Sequence, residues 1–403
     1  MEQSNQRRGL IILGTVINQI GLGTIYTWSL FNQALVSKFG WQLNKVALTF
    51  SIASFALSFS TLFAGKLQEH LGIRKVISIC GILLGIGLLI SSKVNSLPML
   101  YIFAGIIVGA ADGIAYILSL SNCIKWFPEK KGLISGISVG AYGVGSLVFK
   151  YINSSLLKSQ GVSNTFLYWG IMAMILIFVG AQLLKDAHIG QNADNINGDN
   201  NDFTVSEMLK TKEAYLLFIA FFTACMSGLY LIGIVKDIGV KLADLSPSVA
   251  ANSVAMVAIF NTAGRIILGT LSDKVGRLKV VGFAFIVTAV SVFALSFLTL
   301  NFNIFFACVA GIAFCFGGNI TVFPAIVGDF FGLKNHSKNY GIIYQGFGIG
   351  ALSGSFIANL AGSFKATFMV IGILCIVSTA IVATIKRPKH KEDTVHNLTS
   401  KIA

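Results

Sequence analysis

Long apolar stretches alternate with short polar connections along the whole chain. The stretches fall near 9–35, 44–64, 76–93, 98–123, 132–156, 164–184, 213–235, 248–271, 280–300, 303–328, 339–361 and 366–385. Each is long enough to cross the roughly 30 Å hydrocarbon core of a bilayer as a helix. The pattern therefore predicts an all-α membrane protein of twelve transmembrane helices. One connection stands out, from Asp186 to Lys212, because its run Gln191 to Asp202 holds too few apolar side chains to pack. It divides the chain into an N-terminal six-helix bundle over 1–185, a linker over 186–212, and a C-terminal six-helix bundle with a short tail over 213–403.

The two bundles also repeat in sequence. Gly65-Lys-Leu-Gln-Glu-His-Leu-Gly72 is echoed by Gly269-Thr-Leu-Ser-Asp-Lys-Val-Gly276, which aligns Gly65 with Gly269, Glu69 with Asp273 and Gly72 with Gly276. Each copy follows the second span of its half, and Arg277 directly follows the second copy. A carboxylate that recurs at one position in both halves points to a shared structural role rather than to loop solubility alone. A second echo is rich in glycine: Gly132, Gly136, Gly140, Gly143 and Gly145 in the fifth span against Gly341, Gly346, Gly348, Gly350 and Gly354 in the eleventh. Such runs let neighbouring helix backbones cross closely.

Composition agrees with the pattern. Hydrophobic residues make up 55% of the 403 and charged residues 11%, against roughly 25% charged in soluble domains. The net charge of +14 is no nucleic-acid signal once each cation is placed on the predicted topology. With both termini cytoplasmic, 21 Lys and Arg fall in inside segments and 8 in outside loops. That is the positive-inside bias of a multi-pass protein of the cell (inner) membrane. The first apolar run is longer than a signal-peptide core and has no small-residue cleavage site, so it is expected to be retained. Six cysteines lie singly in or beside apolar spans, without metal-ligand or disulfide spacing. No cofactor is implied, and without a G-x-x-x-x-G-K-[ST] loop ATP is not the expected energy source. The five histidines (His70, His188, His336, His390 and His396) are read as loop or terminal residues, which argues against an enzyme.

Two charges remain inside the spans, where insertion scales charge at least ~2.5–3.5 kcal/mol for each. Arg265 lies eight residues before Asp273 in the eighth span, roughly 12 Å from the loop. Its planar fork matches a carboxylate with two parallel hydrogen bonds, so an anionic partner is expected. Asp112 lies near the middle of the fourth span. It is either a neutral packing donor, as desolvation favours, or a proton-coupling group that pairs with Arg265 when the site is empty. Tyr26 and Trp28 in the first span, Tyr116 one turn after Asp112, and Tyr142 among the fifth-span glycines are candidates to complete an anion site.

The repeated Gly-x-Leu-x-Asp/Glu-x-x-Gly loops, the six-plus-six layout and the polar linker resemble the major facilitator superfamily. Within it, Tyr26-Thr-Trp-Ser-Leu-Phe31, Gly113-Ile-Ala-Tyr116, Lys125-Trp-Phe-Pro-Glu-Lys-Lys-Gly132, Asn261-x-x-x-Arg265 and Asn339-Tyr-Gly341 resemble the oxalate/formate antiporter family. The resemblance implies alternating access, with the loop carboxylates as conformational-switch groups. It also implies a carboxylate bound by Arg265 and a cavity lined by Tyr26, Tyr116 and Tyr142. The oxalate-handling members carry a Lys where this chain has Phe347, and a Trp and a Tyr near Phe316 and Ile320. A dianion would lack its second counter-charge here. The expectation is thus a secondary transporter of a small monocarboxylate of the pyruvate, lactate or formate type, by proton symport or anion exchange, working as a monomer. An oxalate/formate-type antiporter and a non-transporting carboxylate sensor are the alternatives.

Overall fold

The computed structural model describes residues 2–187 and 202–388, and every regular element among them is helical. Most of the polar run Gln191 to Asp202, and the tail with His390 and His396, lie outside the described residues, as does His188. The first span comprises α1 (Glu2–Leu22), a 3-10 segment (Gly23–Thr27) and α2 (Ser29–Phe39). Then come α3 (Leu43–Leu71) and α4 (Ile73–Ser91). The fourth span joins α5 (Leu97–Leu100), a π segment (Tyr101–Ile107) and α6 (Val108–Trp126). A continuous run, α7 (Lys131–Leu183), holds both the fifth and the sixth span, broken at Gly161 by φ 72° and ψ 174°. The second half holds the one-turn α8 (Val205–Met208), α9 (Lys212–Leu242), α10 (Pro247–Val275), α11 (Arg277–Phe297) and α12 (Phe302–Phe331). It ends with α13 (His336–Ile343), α14 (Gln345–Ala361) and α15 (Phe364–Thr384). Eleven runs are long and apolar enough to cross a membrane, and the break at Gly161 makes twelve spans of them.

Large apolar side chains face outward along these helices, among them Phe55, Phe59, Phe63, Ile286 and Val290, as lipid-facing surfaces require. Inside, small residues set the spacing. A Cβ at Gly23 would collide with the Tyr142 carbonyl, and one at Gly113 with the Leu57 carbonyl. The first span is thereby pressed onto the fifth and the second onto the fourth.

The two repeated loops show why each glycine stands where it does. Gly72 and Gly276 adopt φ of 75° and 106°, a region L side chains avoid, and they turn α3 into α4 and α10 into α11. Gly65 and Gly269 serve instead as crossing points with the other half. A side chain at Gly65 would meet Lys338, and one at Gly269 would lie 2.8 Å from the Gly132 carbonyl.

Both ends of the linker are fastened. The Asp186 carboxylate accepts from the Ile73 amide at 3.1 Å and from Gln68 Nε2 at 2.8 Å, capping α4. On the other side the Phe203 carbonyl accepts from Asn335 and Asn339, each at 3.0 Å, and its ring packs edge-on against Phe331. Asn339 of the Asn-Tyr-Gly signature therefore holds the linker rather than facing a ligand.

Candidate functional site

The chain loses α-helical regularity where its polar residues gather. Tyr26 lies on the 3-10 segment, Asp112 follows the π segment by about a turn, and Tyr344 sits at the break between α13 and α14. Irregular backbone at membrane depth is tolerated where it is buried in protein or lines a cavity. The ring of Tyr142 stands edge-on to Tyr26 at 5.2 Å and to Tyr116 at 5.5 Å. Tyr344 joins from the second half, 5.4 Å from Tyr116, and stacks on Phe347 at 5.2 Å. Tyr26 keeps some exposure, whereas Tyr116, Tyr142, Tyr344 and Phe347 are buried.

Arg265 reaches this cluster from α10 and is only 4% exposed. Its Nη1 donates to the Val139 carbonyl of α7 at 2.6 Å, while its buried Nε has no hydrogen-bond partner. Among the described residues no carboxylate lies within ion-pairing distance of it. The guanidinium fits because residue 143 is glycine: a Cβ there would lie 3.4 Å from Nη1 and 2.9 Å from Thr262 Oγ1. Gly136, two turns earlier on the same face of α7, lets the Arg265 backbone approach in the same way. The fifth-span glycines are thus the track on which the helix carrying Arg265 runs.

Asp112 is fully buried and makes no ion pair with Arg265 in this conformation. Its carboxylate instead accepts the Tyr142 hydroxyl, shared between its two oxygens at 3.3 and 3.4 Å. Trp28 does not join the tyrosines. It is buried in an aromatic stack with Phe31 and Phe166, at 6.1 and 5.9 Å, inside the first half. Two residues from Tyr26 on a helical segment, it faces a different direction. His336 corrects the reading of the histidines: it is fully buried at the start of α13, with Nε2 2.8 Å from the Pro324 carbonyl. Tyr344, Val139 and Gly143 also contact this cluster or Arg265, although the chemistry of side chains alone had not singled them out.

A seam of contacts joins the halves on the side bearing the repeated loops. Asp273 accepts from the amides of Gly132 and Leu133 at 2.9 and 2.8 Å, capping the first turn of α7 across the interface. Arg277 pairs with Asp273 at 2.9 Å and with Asp329, which also holds Lys131 at 2.6 Å. Glu69 is paired with Lys338 at 2.7 Å. Further in, Ser135 donates to the Thr321 carbonyl at 2.6 Å, Ser58 to the Tyr344 carbonyl at 3.1 Å, and Gln345 to the Ser58 carbonyl at 2.8 Å. These bonds fasten the two sides together from the loops up to the tyrosine cluster, so the loop end is closed in this conformation.

The two loop copies do not contribute equally. The Glu69 side chain is 57% exposed, and such a pair is worth about 0–1 kcal/mol. Asp273 is 18% exposed, and hydrogen bonds to charged groups contribute about 1.5–3 kcal/mol. Asp273→Asn is therefore expected to loosen this end far more than Glu69→Gln. A cysteine placed at Ser138 should show thiol labelling from the loop side raised at least about 5-fold by Asp273→Asn. Equal effects of the two substitutions would contradict this ranking.

The profile of the Major Facilitator Superfamily matches residues 11–241 and 216–401. The chain is 48% identical over 355 residues to the uncharacterized MFS-type transporter YhjX of Escherichia coli (strain K12), covering 87% of this chain and 88% of that one. It is 28% identical over 390 residues to the oxalate:formate antiporter of Oxalobacter formigenes, covering 94% and 93%. It is 23% identical to monocarboxylate transporter 13 of Rattus norvegicus, covering 90% and 85%. Among solved structures, the E. coli fucose:proton symporter aligns with a TM-score of 0.71 at 14% identity, covering 94% of this chain and 98% of that chain. The proton:xylose symporter XylE aligns with 0.73 at 13% identity, covering 96% and 97%. These two likenesses concern the fold. The chain belongs to the Major Facilitator Superfamily and is a multi-pass membrane transporter, not an enzyme.

Proposed function

We propose that the protein is a secondary transporter of small monocarboxylates of the pyruvate, lactate or formate type, working by alternating access. The observation that carries this reading is the guanidinium of Arg265, buried without a counter-charge within electrostatic reach of Tyr26, Tyr116 and Tyr142 and with Nε left without an acceptor. A buried cation without a partner is strongly unfavourable, and a substrate carboxylate supplies what is missing. Tyr26, Tyr116 and Tyr142 surround the anion, and Phe347, stacked on Tyr344, offers an apolar wall for its tail. The relatives described as an oxalate:formate antiporter and a monocarboxylate transporter support the substrate class.

The Oxalobacter relative also favours a second reading, exchange of oxalate-type dianions. Against it, the buried charged or imidazole side chains among the described residues are Asp112, Arg265 and His336, and none supplies a second permanent cation. In the transport cycle the loops of Gly65, Glu69 and Gly72 and of Gly269, Asp273, Gly276 and Arg277 act as the switch at the cytoplasmic end, the orientation the cation distribution favours. The two six-helix halves rock about the central site, and Asp112 couples a proton to the anion.

The test is counterflow of labelled pyruvate, formate and oxalate in proteoliposomes, with and without a pH gradient. Pyruvate or formate should exchange at least about tenfold better than oxalate, the effect of about 1.4 kcal/mol of uncompensated charge. Failure of all three in folded protein would overturn the carboxylate reading, and oxalate as the best substrate would replace it with the second.

A further inference from the structure

We propose that the Tyr142 hydroxyl is the coupling element between anion and proton: one O–H donor shared between Asp112 and the substrate carboxylate. The inference rests on the carboxylate reading above and goes beyond it by naming how the two binding events communicate. Four observations converge on Tyr142. Its hydroxyl is the only hydrogen-bond donor Asp112 has among the described residues. The hydroxyl stands almost equally far from both Asp112 oxygens, at 3.3 and 3.4 Å, so it can serve either one. The same side chain lies within electrostatic reach of both Asp112 and Arg265. Its helix also touches the guanidinium directly, through the Val139 carbonyl and the bare Cα of Gly143 next to it.

The consequence follows from counting donors. In the empty site Tyr142 donates to Asp112, and a buried carboxylate is tolerated only while something donates to it. A carboxylate arriving at Arg265 competes for that hydroxyl. When the hydroxyl turns toward the anion, Asp112 has no donor left and takes up a proton from water. One anion therefore binds with one proton, without any contact between Asp112 and Arg265. Release of the anion reverses both steps, because the returning hydroxyl again stabilises the ionised carboxylate.

The surroundings of Asp112 leave this device uncontested. From the first span Tyr26 lies within electrostatic reach, and from α4 Cys80 does so. From α3 the nearest groups to this part of α6 are the Leu57 carbonyl and the Ser60 hydroxyl, packed against Gly113. The Ser60 hydroxyl is already donated to the Leu57 carbonyl at 2.9 Å. On its own helix, the Tyr116 hydroxyl is not bonded to Asp112. Tyr142 is the group from α7.

Because a proton is taken up with the anion, affinity falls as pH rises, by about tenfold per pH unit for one linked proton. Titration calorimetry of the purified full chain with pyruvate or formate, run in two buffers of different ionisation enthalpy, counts that proton directly. The parent protein should take up about one proton per anion. Tyr142→Phe, which keeps the ring and removes the donor, should take up close to none and lose the pH slope of its affinity, and Asp112→Asn should do the same. A parent that binds the anion without proton uptake, or a Tyr142→Phe protein that still takes up about one, overturns the inference and leaves the carboxylate reading standing. A parent that binds none of the carboxylates overturns that reading instead.

Discussion

Exchange of carboxylate is expected to fall by roughly 150- to 5,000-fold when Arg265 is replaced by Lys or Gln, as removal of one partner of a buried charge pair costs about 3–5 kcal/mol. Lys keeps the charge but not the fork. It cannot hold the Val139 carbonyl and present two coplanar donors to an anion at once. The measurement is the initial rate of labelled pyruvate or formate exchange in proteoliposomes, paired with a thermal unfolding curve. The second readout separates a ligand-binding role from a structural one. A guanidinium whose Nε is buried and unpaired weakens the empty fold, so Arg265→Gln should unfold at or above the parent temperature while failing to transport. Normal exchange in either variant would remove Arg265 from the site, and a large drop in unfolding temperature would make it a structural residue.

The second large effect is expected at the crossing of α7 with α10. A Cβ on Gly132 would overlap the Gly269 carbonyl and crowd Ser272 Oγ at 2.6 Å and Asp273 Oδ1 at 2.9 Å. The neighbours are backbone and a capped carboxylate, neither of which yields easily, so the substitution acts as overpacking worth about 1–3 kcal/mol. That strain exists only while this end is shut. Gly132→Ala should therefore shift the population toward the conformer open at the loop end by roughly 5- to 150-fold, with little effect on folding. Distances between spin labels at Lys66 and Lys334 would report it as growth of a longer-distance population. An unchanged distribution would mean that the crossing relaxes without opening.

Much of this arrangement was legible in the sequence because it rests on composition and period. Apolar runs of spanning length predicted the helices. The cost of charge in lipid singled out Arg265 and Asp112. What was not legible depends on main-chain atoms and on direction around a helix. The partner of Arg265 is a carbonyl, that of Val139, and every residue has one, so no residue type could announce it. For Asp112 the sequence left two readings open, a neutral packing donor or a partner of Arg265, because depth in a membrane fixes height and not azimuth; in this conformation its carboxylate is answered by Tyr142. Trp28 was grouped with Tyr26 by nearness along the chain, although two-residue spacing on a helix sends side chains in different directions. His336 read as a loop residue because a polar stretch precedes it, but it opens a helix and is buried.

The Val139 carbonyl has one further consequence, for inhibitors. It occupies one corner of the guanidinium and straps the second half to the first. A ligand that takes only the free edge leaves the strap fastened and should bind without preference for an open loop end. A ligand with enough oxygens to claim Nη1 as well must pull the strap away, so it would favour the conformer in which α7 and α10 have parted. Two anions of similar size could thus arrest the same transporter in opposite postures, decided by how many of the guanidinium's corners each one claims.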